Sequence, residues 1–281
     1  MNLFNDEINR NMPYIFEGNK LFYSRAEAEP SRLEDHGARA LRPTEITTPY
    51  RAYRLYMAEI NLETGATGEE IPIESSPQNN VYCSPSAWRN QDGAVNLTYT
   101  KEDLVSTQKP FYRARRRTGA DFLSLGIPED LPNILGLKNY CTADNAEYIA
   151  VASSYIGNAY ILLYHKRRKS VKKIKLGLCS FLRRVSFESG SDRLLLTYPS
   201  NVSSENLDKS EYTTEILDIE NLKTTKIITE DRSVYKSTIF ENKVIYTARS
   251  ATGYARSLKL CEFITGPGRV RAEVDFTMDL S

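Results

Sequence analysis

Short runs of apolar, β-branched and aromatic residues recur along the whole chain, and tight polar turns separate them. The pattern is clearest over residues 212–263, where four such runs follow one another in close succession. Val, Ile, Thr, Tyr and Phe are the residues that strands favour, whereas Gly, Asn and Asp favour turns. Two strands joined by a short polar turn form an antiparallel hairpin. The pattern therefore predicts an all-β protein made of hairpins.

Looser copies of this unit are present along the rest of the chain. Each copy has a short apolar run that ends in Tyr or a small residue and follows a turn rich in Gly, Asn or Asp. These runs lie at residues 20–24, 95–100, 148–153, 193–199 and 243–247. A second hairpin follows each run, which gives five units of four strands, and the later units are roughly 50 residues apart. This period is typical of the blades of a β-propeller.

The physical reason for a propeller is that a single four-stranded meander cannot bury both of its faces, whereas several packed around an axis can. We therefore predict one domain over residues 1–281, a five-bladed β-propeller with four antiparallel strands per blade. The predicted blades span residues 9–75, 80–127, 138–177, 182–229 and 233–276, and a loop insertion occupies residues 25–49. An irregular β-sandwich is the alternative, because it also contains many short strands.

Composition narrows the classes of function. The chain of 281 residues has a formal net charge of +1, which gives no overall attraction to nucleic acid or to acidic lipid. Its four cysteines are far apart and its two histidines fall in predicted loops, so neither a metal nor another cofactor is expected. The first residues lack the basic and apolar regions of a signal peptide. We expect a cytoplasmic protein, or one assembled into a particle inside the cell, without a membrane partner.

Clusters of Lys and Arg are the most visible charge feature. The predicted basic rim comprises Arg115, Arg116, Arg117, Lys166, Arg167, Arg168, Lys169, Lys172 and Lys173. One interpretation is a surface for a polyanion or an acidic partner. The other is that these residues lie on hairpin turns and outer edge strands, where Lys prevents pairing with other chains. The alternation of apolar and basic residues in 171–176 favours an outer strand with one wet face.

The predicted starts of the innermost strands are where a five-bladed propeller would carry an axial pocket. They are rich in Asn and Arg, and the candidate binding residues there are Asn9, Arg10, Asn11, Tyr82, Tyr140 and Arg184. This architecture is similar to that of arabinanase-like and sucrose-cleaving glycosidases, which use two carboxylates at these positions. Here the nearest acids are Asp144, Glu188 and Asp231, and the first two fall in predicted turns. We therefore assign no catalytic residue.

The strand-turn-strand segments at 58–65 and 217–226 resemble the blade ends of TolB-like and WD40-like propellers. The Gly-His and Trp-Asp dipeptides of WD40 repeats are absent, so the resemblance implies a fold and leaves the function open. Because no catalytic set is visible, we expect a non-enzymatic structural scaffold that binds a protein partner, for example a component of a viral particle. The alternative is a glycoside hydrolase-like or glycan-binding propeller that uses the axial pocket.

Overall fold

The computed structural model describes residues 1–4, 6, 8–26, 53–73, 80–103, 111–116, 123–124, 141–155, 158–178, 182–201, 211–231, 233–249 and 256–280. The described residues form β-strands, turns and extended connections and contain no helix. They confirm the predicted all-β class. The insertion predicted at residues 25–49 lies, from residue 27 onward, outside the described residues, as does Tyr140.

Successive antiparallel strands form five groups. Group 1 contains β1 (Arg10–Phe16), β2 (Lys20–Ala26), β3 (Tyr53–Glu59) and β4 (Ile71–Pro72). Group 2 contains β5 (Asn80–Arg89), β6 (Val95–Asp103), β7 (Phe111–Arg116) and β8 (Leu123–Ser124). Group 3 contains β9 (Cys141–Asp144), β10 (Tyr148–Tyr155), β11 (Asn158–His165) and β12 (Ser170–Lys175). A single parallel pair, Tyr53 with Val81, joins groups 1 and 2 into one sheet.

The remaining strands complete groups 4 and 5 and add two strands to earlier groups. Group 4 contains β13 (Arg184–Phe187), β14 (Arg193–Asn201), β15 (Glu211–Asp218) and β16 (Thr224–Ile228). Group 5 contains β17 (Tyr235–Phe240), β18 (Lys243–Arg249) and β19 (Arg256–Glu262). The last two strands are β20 (Ile264–Pro267) and β21 (Glu273–Asp279).

The last two strands depart from the predicted pattern. The sequence predicts four strands within the fifth blade, residues 233–276. Instead β20 pairs with β16 of group 4, and β21 pairs with β12 of group 3. Groups 3 and 4 therefore have five strands each, and the regular four strands per blade are not observed. The edge of β19 is occupied by the start of the chain, because Asn2 bridges Lys259 and Leu3 N–H donates to Leu258 O at 2.9 Å.

The first strands of the five groups lie side by side. β1 contacts β5, β5 contacts β9, β9 contacts β13, β13 contacts β17, and β17 contacts β1. Alternate side chains of each strand point to opposite faces of its sheet, so each group can pack against two neighbours. Ile15 and Tyr23 of group 1 pack on Leu258 of group 5, while Tyr14 and Phe22 of the same group pack on group 2. The largest core lies between groups 3 and 4.

Three of the first strands carry the same irregularity. Met12, Ser84 and Lys236 have φ angles of 53°, 53° and 50°, and each lies where the pairing register shifts within its hairpin. A non-glycine residue in this left-handed region is strained and must be held by its surroundings. The β-bulges turn main-chain carbonyls of β1 and β17 away from their ladders. These carbonyls face the centre, where Arg184 reaches them.

Candidate functional site

Two carboxylates and one guanidinium form a charge cluster at the start of β1. Arg10, the first residue of β1, is 1% exposed. Its Nη1 and Nη2 donate to the two oxygens of Asp6 at 2.5 and 2.9 Å, and its Nε and Nη2 donate to those of Glu70 at 2.7 and 2.8 Å. Both bonds are bidentate, a geometry that only Arg can provide. Because Nη2 donates to one oxygen of each carboxylate, it holds Asp6 and Glu70 near each other.

Aromatic rings surround this Asp6–Arg10–Glu70 cluster. The guanidinium of Arg10 lies over the ring of Phe4, with 3.9 Å from its central carbon to the ring centroid. Tyr23 Oη donates to Glu70 Oε1 at 2.5 Å, and the Tyr23 ring stacks on that of Tyr56. Aromatic faces with a few placed polar groups are the usual composition of a small-molecule site. Tyr23 and Tyr56 are buried and support the cluster from below, so the half-buried Phe4 ring is the apolar surface that accompanies the acceptors.

A second arginine borders the cluster. Arg25, at the outer end of β2, lies 3.3 Å from Glu70 Oε2 and 4.7 Å from the centroid of the Tyr56 ring. Its side chain is partly exposed, as is that of Glu70, whereas that of Asp6 is the most open at 45%. Two arginines and two carboxylates leave the cluster without net charge. Asp6 and the exposed edge of Arg25 face solvent and are available to a ligand.

Hydrogen bonds keep both carboxylates ionised. The bond from Arg10 is the main reason why the pKa of Asp6 is below its ordinary value. Burial acts to raise the pKa of Glu70, but the bonds from Arg10 and Tyr23 outweigh it and the pKa is lowered. Burial and the neighbouring Glu70 carboxylate both raise the pKa of Tyr23, so its hydroxyl stays a donor. At neutral pH both groups are therefore carboxylates, which can accept hydrogen bonds but cannot donate a proton.

The asparagines beside Arg10 have structural partners. Asn9 Oδ1 accepts from the N–H of Arg256 at 2.8 Å, and Asn11 Oδ1 accepts from Thr247 Oγ1 at 3.1 Å. Both side chains are buried and tie the start of β1 to β18 and β19 of group 5. Tyr82 belongs to β5, but its side chain lies outside the described residues, so the structure does not place it relative to Arg10.

Arg184 occupies the centre of the five first strands. It is 1% exposed, and its Nη1 and Nη2 donate to the carbonyls of Lys236 at 3.2 Å and Pro13 at 2.7 Å. These two carbonyls belong to the bulged parts of β17 and β1. One buried guanidinium thus binds three first strands together, counting its own β13. This geometry assigns Arg184 to holding the centre closed, away from a solvent-exposed binding surface.

The structure divides the predicted basic rim. Lys166 pairs with the fully buried Asp144, and its ammonium lies 4.1 Å from the centroid of the Trp88 ring. Lys173 pairs with Asp275 of β21 at 3.0 Å. Lys172 is half-buried, and the exposed basic residues are those of the turn between β11 and β12, namely Arg167, Arg168 and Lys169.

The other part of the rim is only partly described. Arg115 and Arg116 belong to β7, where the backbone alone is described, and Arg117 lies outside the described residues. Arg115 pairs with Asn96 of β6 and Arg116 with Val95.

The three acids noted from the sequence all have basic or hydroxyl partners in the described structure. Glu188 accepts two bonds from Arg193 and one from Ser191. Asp231 accepts from Tyr246 Oη and from Lys259 Nζ. Asp144 and Glu188 lie at the ends of β9 and β13, whereas the Arg10 cluster lies at the start of β1, so they do not join it.

Sequence reasoning missed Asp6, Tyr23 and Glu70. Asp6 is four residues before Arg10, a spacing that could have suggested an ion pair. Glu70 is 60 residues after Arg10 and precedes a two-residue strand, so no local pattern connects the two. Within the described ranges, no three His, Cys, Asp or Glu side chains come together as metal ligands would. A search of these ranges for a helix long and apolar enough to cross a membrane found none.

No protein-family model and no curated protein matches the sequence. Solved structures do match. Zg3597, a family 117 glycoside hydrolase of the marine bacterium Zobellia galactanivorans, has a TM-score of 0.54 and 10% identity, with 93% of this chain and 87% of that chain covered. The structure of a BT0996 RGII complex has a TM-score of 0.51 and 12% identity, with 98% and 92% covered.

A third match is the α-L-arabinofuranosidase PaAbf62A of Podospora anserina in complex with cellotriose. Its TM-score is 0.49 at 11% identity, with 92% of this chain and 91% of that chain covered. At these identities the similarity concerns the fold. The first two alignments extend over nearly the whole chain, so the similarity is that of a complete domain.

The match to the family 117 glycoside hydrolase corrects the expected function. We expected a non-enzymatic structural scaffold or virion component that binds a protein partner, and this expectation is wrong. The matching structures include a family 117 glycoside hydrolase, which agrees with the alternative, a glycoside hydrolase-like or glycan-binding protein. The absence of recognisable catalytic residues in the sequence favoured the scaffold. That argument is weak, because residues that act together can be far apart in sequence and leave no local pattern.

Proposed function

We propose that the protein is a five-bladed β-propeller of glycoside hydrolase-like architecture that binds a glycan at the Asp6–Arg10–Glu70 cluster. The ring of contacts among β1, β5, β9, β13 and β17 supports the propeller. The match to a family 117 glycoside hydrolase over 93% of the chain supports this architecture. TolB-like and WD40-like propellers remain a resemblance of single blades.

The observation that carries the proposal is the pair of carboxylates held on one buried guanidinium beside aromatic rings. A sugar presents hydroxyl donors and an apolar ring face; the partly exposed carboxylates of Asp6 and Glu70 can accept from the hydroxyls, and the half-buried ring of Phe4 is the apolar surface beside them. Because Arg10 fixes both carboxylates, little conformational entropy is lost when a ligand binds them. The exposed oxygens of Asp6 would accept the first hydrogen bonds.

Hydrolysis is the second candidate function, because the carboxylates of Asp6 and Glu70 bind the same nitrogen, Arg10 Nη2, and therefore lie near each other. Retaining glycosidases place their two carboxyl groups about 5 to 5.5 Å apart, and inverting enzymes about 6.5 to 9.5 Å apart. A general acid also needs a raised pKa, whereas the pKa of both carboxyls is lowered here. The pair by itself therefore suits a base or nucleophile, and binding is the stronger proposal.

The test measures binding and hydrolysis separately on the same samples. The protein is titrated calorimetrically with a panel of neutral and acidic oligosaccharides, and released reducing ends are measured after prolonged incubation. We expect at least one oligosaccharide to bind, and Asp6→Asn to weaken that binding about tenfold, as the loss of one charged hydrogen bond predicts. Glu211→Gln, on the exposed end of β15, is the matched control and should bind as the unmodified protein does.

Each outcome has a definite meaning. Binding that Asp6→Asn weakens and Glu211→Gln does not would support the site. Release of reducing ends that Glu70→Gln abolishes would establish hydrolysis by this pair. Binding that is insensitive to Asp6→Asn would place the site elsewhere on the molecule. If no member of the panel binds or is cleaved, the proposal is wrong.

A further inference from the structure

The last two strands form a strap that follows group 5 in sequence but pairs with groups 4 and 3. The strap comprises β20, the crossing at residues 268–272, and β21. β20 covers the edge of β16, and β21 covers the edge of β12 over the pairs from Ser170 with Asp279 to Lys175 with Glu273. Uncovered edge strands are the part of a sheet that pairs with other chains. The strap therefore occupies two positions that would otherwise be open to a partner.

The crossing is firmly anchored. Glu215 is fully buried, and its carboxylate accepts from the main-chain N–H of Arg269 at 2.8 and 3.0 Å and from that of Val270 at 3.1 Å. Val270 belongs to the core between groups 3 and 4, and its carbonyl accepts from Thr224 Oγ1 at 2.8 Å. The strap cannot leave at this point without exposing a buried charge and part of the core.

β21, in contrast, has little side-chain packing to hold it. Six of its seven residues are exposed, including Val274 at 44% and Phe276 at 39%. Its attachment consists of the ladder with β12 and of Asp275, whose carboxylate pairs with Lys173 at 3.0 Å and Lys175 at 2.9 Å. Directly after the strand, Leu280 N–H donates to Lys169 O at 2.8 Å and the Leu280 side chain, which is partly buried, packs on group 3. Segments with few buried contacts and exposed hydrogen bonds open at a fraction of the free energy of global unfolding. β21 is therefore the part of the strap that can detach.

Only Arg271 and Ala272 lie between the anchored Val270 and the first ladder pair at Glu273. A short hinge between an anchored residue and an edge strand favours the exchange of that strand between copies, because the same contacts form in either arrangement. When β21 detaches, the edge of β12 with Lys173 and Lys175 is open. The strand that complements this edge best is the acidic β21 itself, from the same copy or from another copy.

We infer that β12 is an interaction surface for a second copy of this chain, and that two copies associate by exchanging β21. In the exchanged pair, Asp275 of each copy binds Lys173 and Lys175 of the other. The ladder and the ion pairs are conserved, so the cost is mainly the entropy of association, and the dimer forms at high protein concentration. This inference is independent of glycan binding.

A charge swap tests it with two full-length variants. One variant carries Asp275→Lys, and the other carries Lys173→Glu with Lys175→Glu. Each variant by itself places like charges across β12 and β21, both within one molecule and between identical copies. A mixture of the two restores opposite charges only when β21 is exchanged between unlike copies. Arg167→Glu with Lys169→Glu, in the exposed turn before β12, gives a control of the same charge change.

Light scattering coupled to size-exclusion chromatography measures the result. We expect each variant alone to be monomeric. An equimolar mixture should contain a heterodimer, and its dissociation constant should be at least tenfold lower than that of the homodimer of the unmodified protein. The mixture of Asp275→Lys with the Arg167→Glu, Lys169→Glu control should contain no heterodimer, and no more dimer than the control variant forms by itself. A mixture of the two charge-swap variants without a heterodimer would overturn the inference.

A second measurement applies if the charged variants fold poorly. Ser170 and Asp279 are directly paired, at a Cα separation that antiparallel strands share with disulfides. After oxidation of Ser170→Cys with Asp279→Cys at high concentration, exchange predicts covalent dimers, each with two intermolecular bridges. Monomers with an internal bridge as the sole product would contradict exchange. Each single substitution controls for the natural cysteines.

Discussion

At the scale of single residues, the molecule depends on a few arginines that bind oxygen atoms in buried places. Arg10 holds two carboxylates, and Arg184 holds two main-chain carbonyls that the bulges at Lys236 and Met12 release from their ladders. The planar fork of an arginine suits both tasks, because its donors diverge in one plane and it keeps its charge when buried.

Replacement of Arg10 should be costly for this reason. Arg10→Met leaves Asp6 and Glu70 close together without their common counter-ion. We expect the free energy of unfolding to fall by about 3 kcal/mol, the usual effect of removing one partner from a buried ion pair. Chemical denaturation measures the change, and Arg167→Met, in an exposed turn, should have almost no effect. Equal losses for the two variants would contradict the role assigned to Arg10.

The same cluster should make stability depend on pH. The pKa values of Asp6 and Glu70 are below their ordinary values of 3.8 and 4.5 in the folded protein, so the unfolded chain binds protons more readily. The cluster therefore stabilises the fold fully above the ordinary values, and this contribution is lost as the pH falls below them.

Denaturation curves between pH 3 and pH 6 would measure this effect. In the double variant Asp6→Asn with Glu70→Gln, the decline of stability toward low pH should be shallower than in the unmodified protein, whatever the stability at neutral pH. An unchanged slope would show that these carboxyls have ordinary pKa values in the folded state.

At the scale of elements, edges and crossings decide the arrangement more than the regular hairpins do. β20 and β21 leave their own group because Glu215 binds the N–H groups of the crossing and Val270 fills a space in the core between groups 3 and 4. Tyr198 Oη also donates to Glu215, and burial together with this carboxylate raises the pKa of that hydroxyl. The buried carboxylate thus has several donors, which offset the cost of its burial.

Glu215→Gln tests this anchor. An amide has one acceptor oxygen in place of two, so the side chain can no longer accept from Arg269 N–H, Val270 N–H and Tyr198 Oη together in the present geometry, and the anchor is weakened. We expect a loss of about 1 to 3 kcal/mol in stability and faster hydrogen exchange at Arg269 and Val270. Glu211→Gln, on the same strand but exposed, is the control. Unchanged exchange at these two amides would contradict the anchoring role.

At the scale of the whole molecule, the start of the chain and the last group stabilise each other. Leu3 is buried against Ile245, Leu258 and Leu260, and its N–H donates into β19. Residues more than 250 positions apart in sequence are therefore in contact, as Leu260 N–H and Met1 O show. Such contacts form only when all the groups between them are in place, which makes the fold cooperative.

Leu3→Ala should accordingly destabilise the entire protein. The cavity and the lost transfer free energy predict a decrease of about 2 to 4 kcal/mol. Because the contact joins the two ends of the described fold, thermal unfolding followed by circular dichroism and by tyrosine fluorescence should shift together. Ile264→Ala, at a residue that is 69% exposed, should change the midpoint little. A shift in only one of the two signals would mean that group 5 unfolds independently.

The sequence by itself determined the local structure, because hairpins depend on short-range patterns. Apolar runs separated by Gly, Asn and Asp located most of the strands, as in residues 235–249, and the all-β class followed from them. It also named Arg10 and Arg184 as candidate binding residues, because they lie at the predicted starts of innermost strands.

Only the tertiary structure decided which residues meet across long distances. Glu70 reaches Arg10 from 60 positions away, β21 joins β12 across an intervening group, and Glu215 selects the crossing that it binds. These contacts have no local signature, because the free energy of closing a long loop depends little on the residues within it. For the same reason the sequence suggested a scaffold, whereas the carboxylate pair that supports glycan binding became visible once the strands had brought it together.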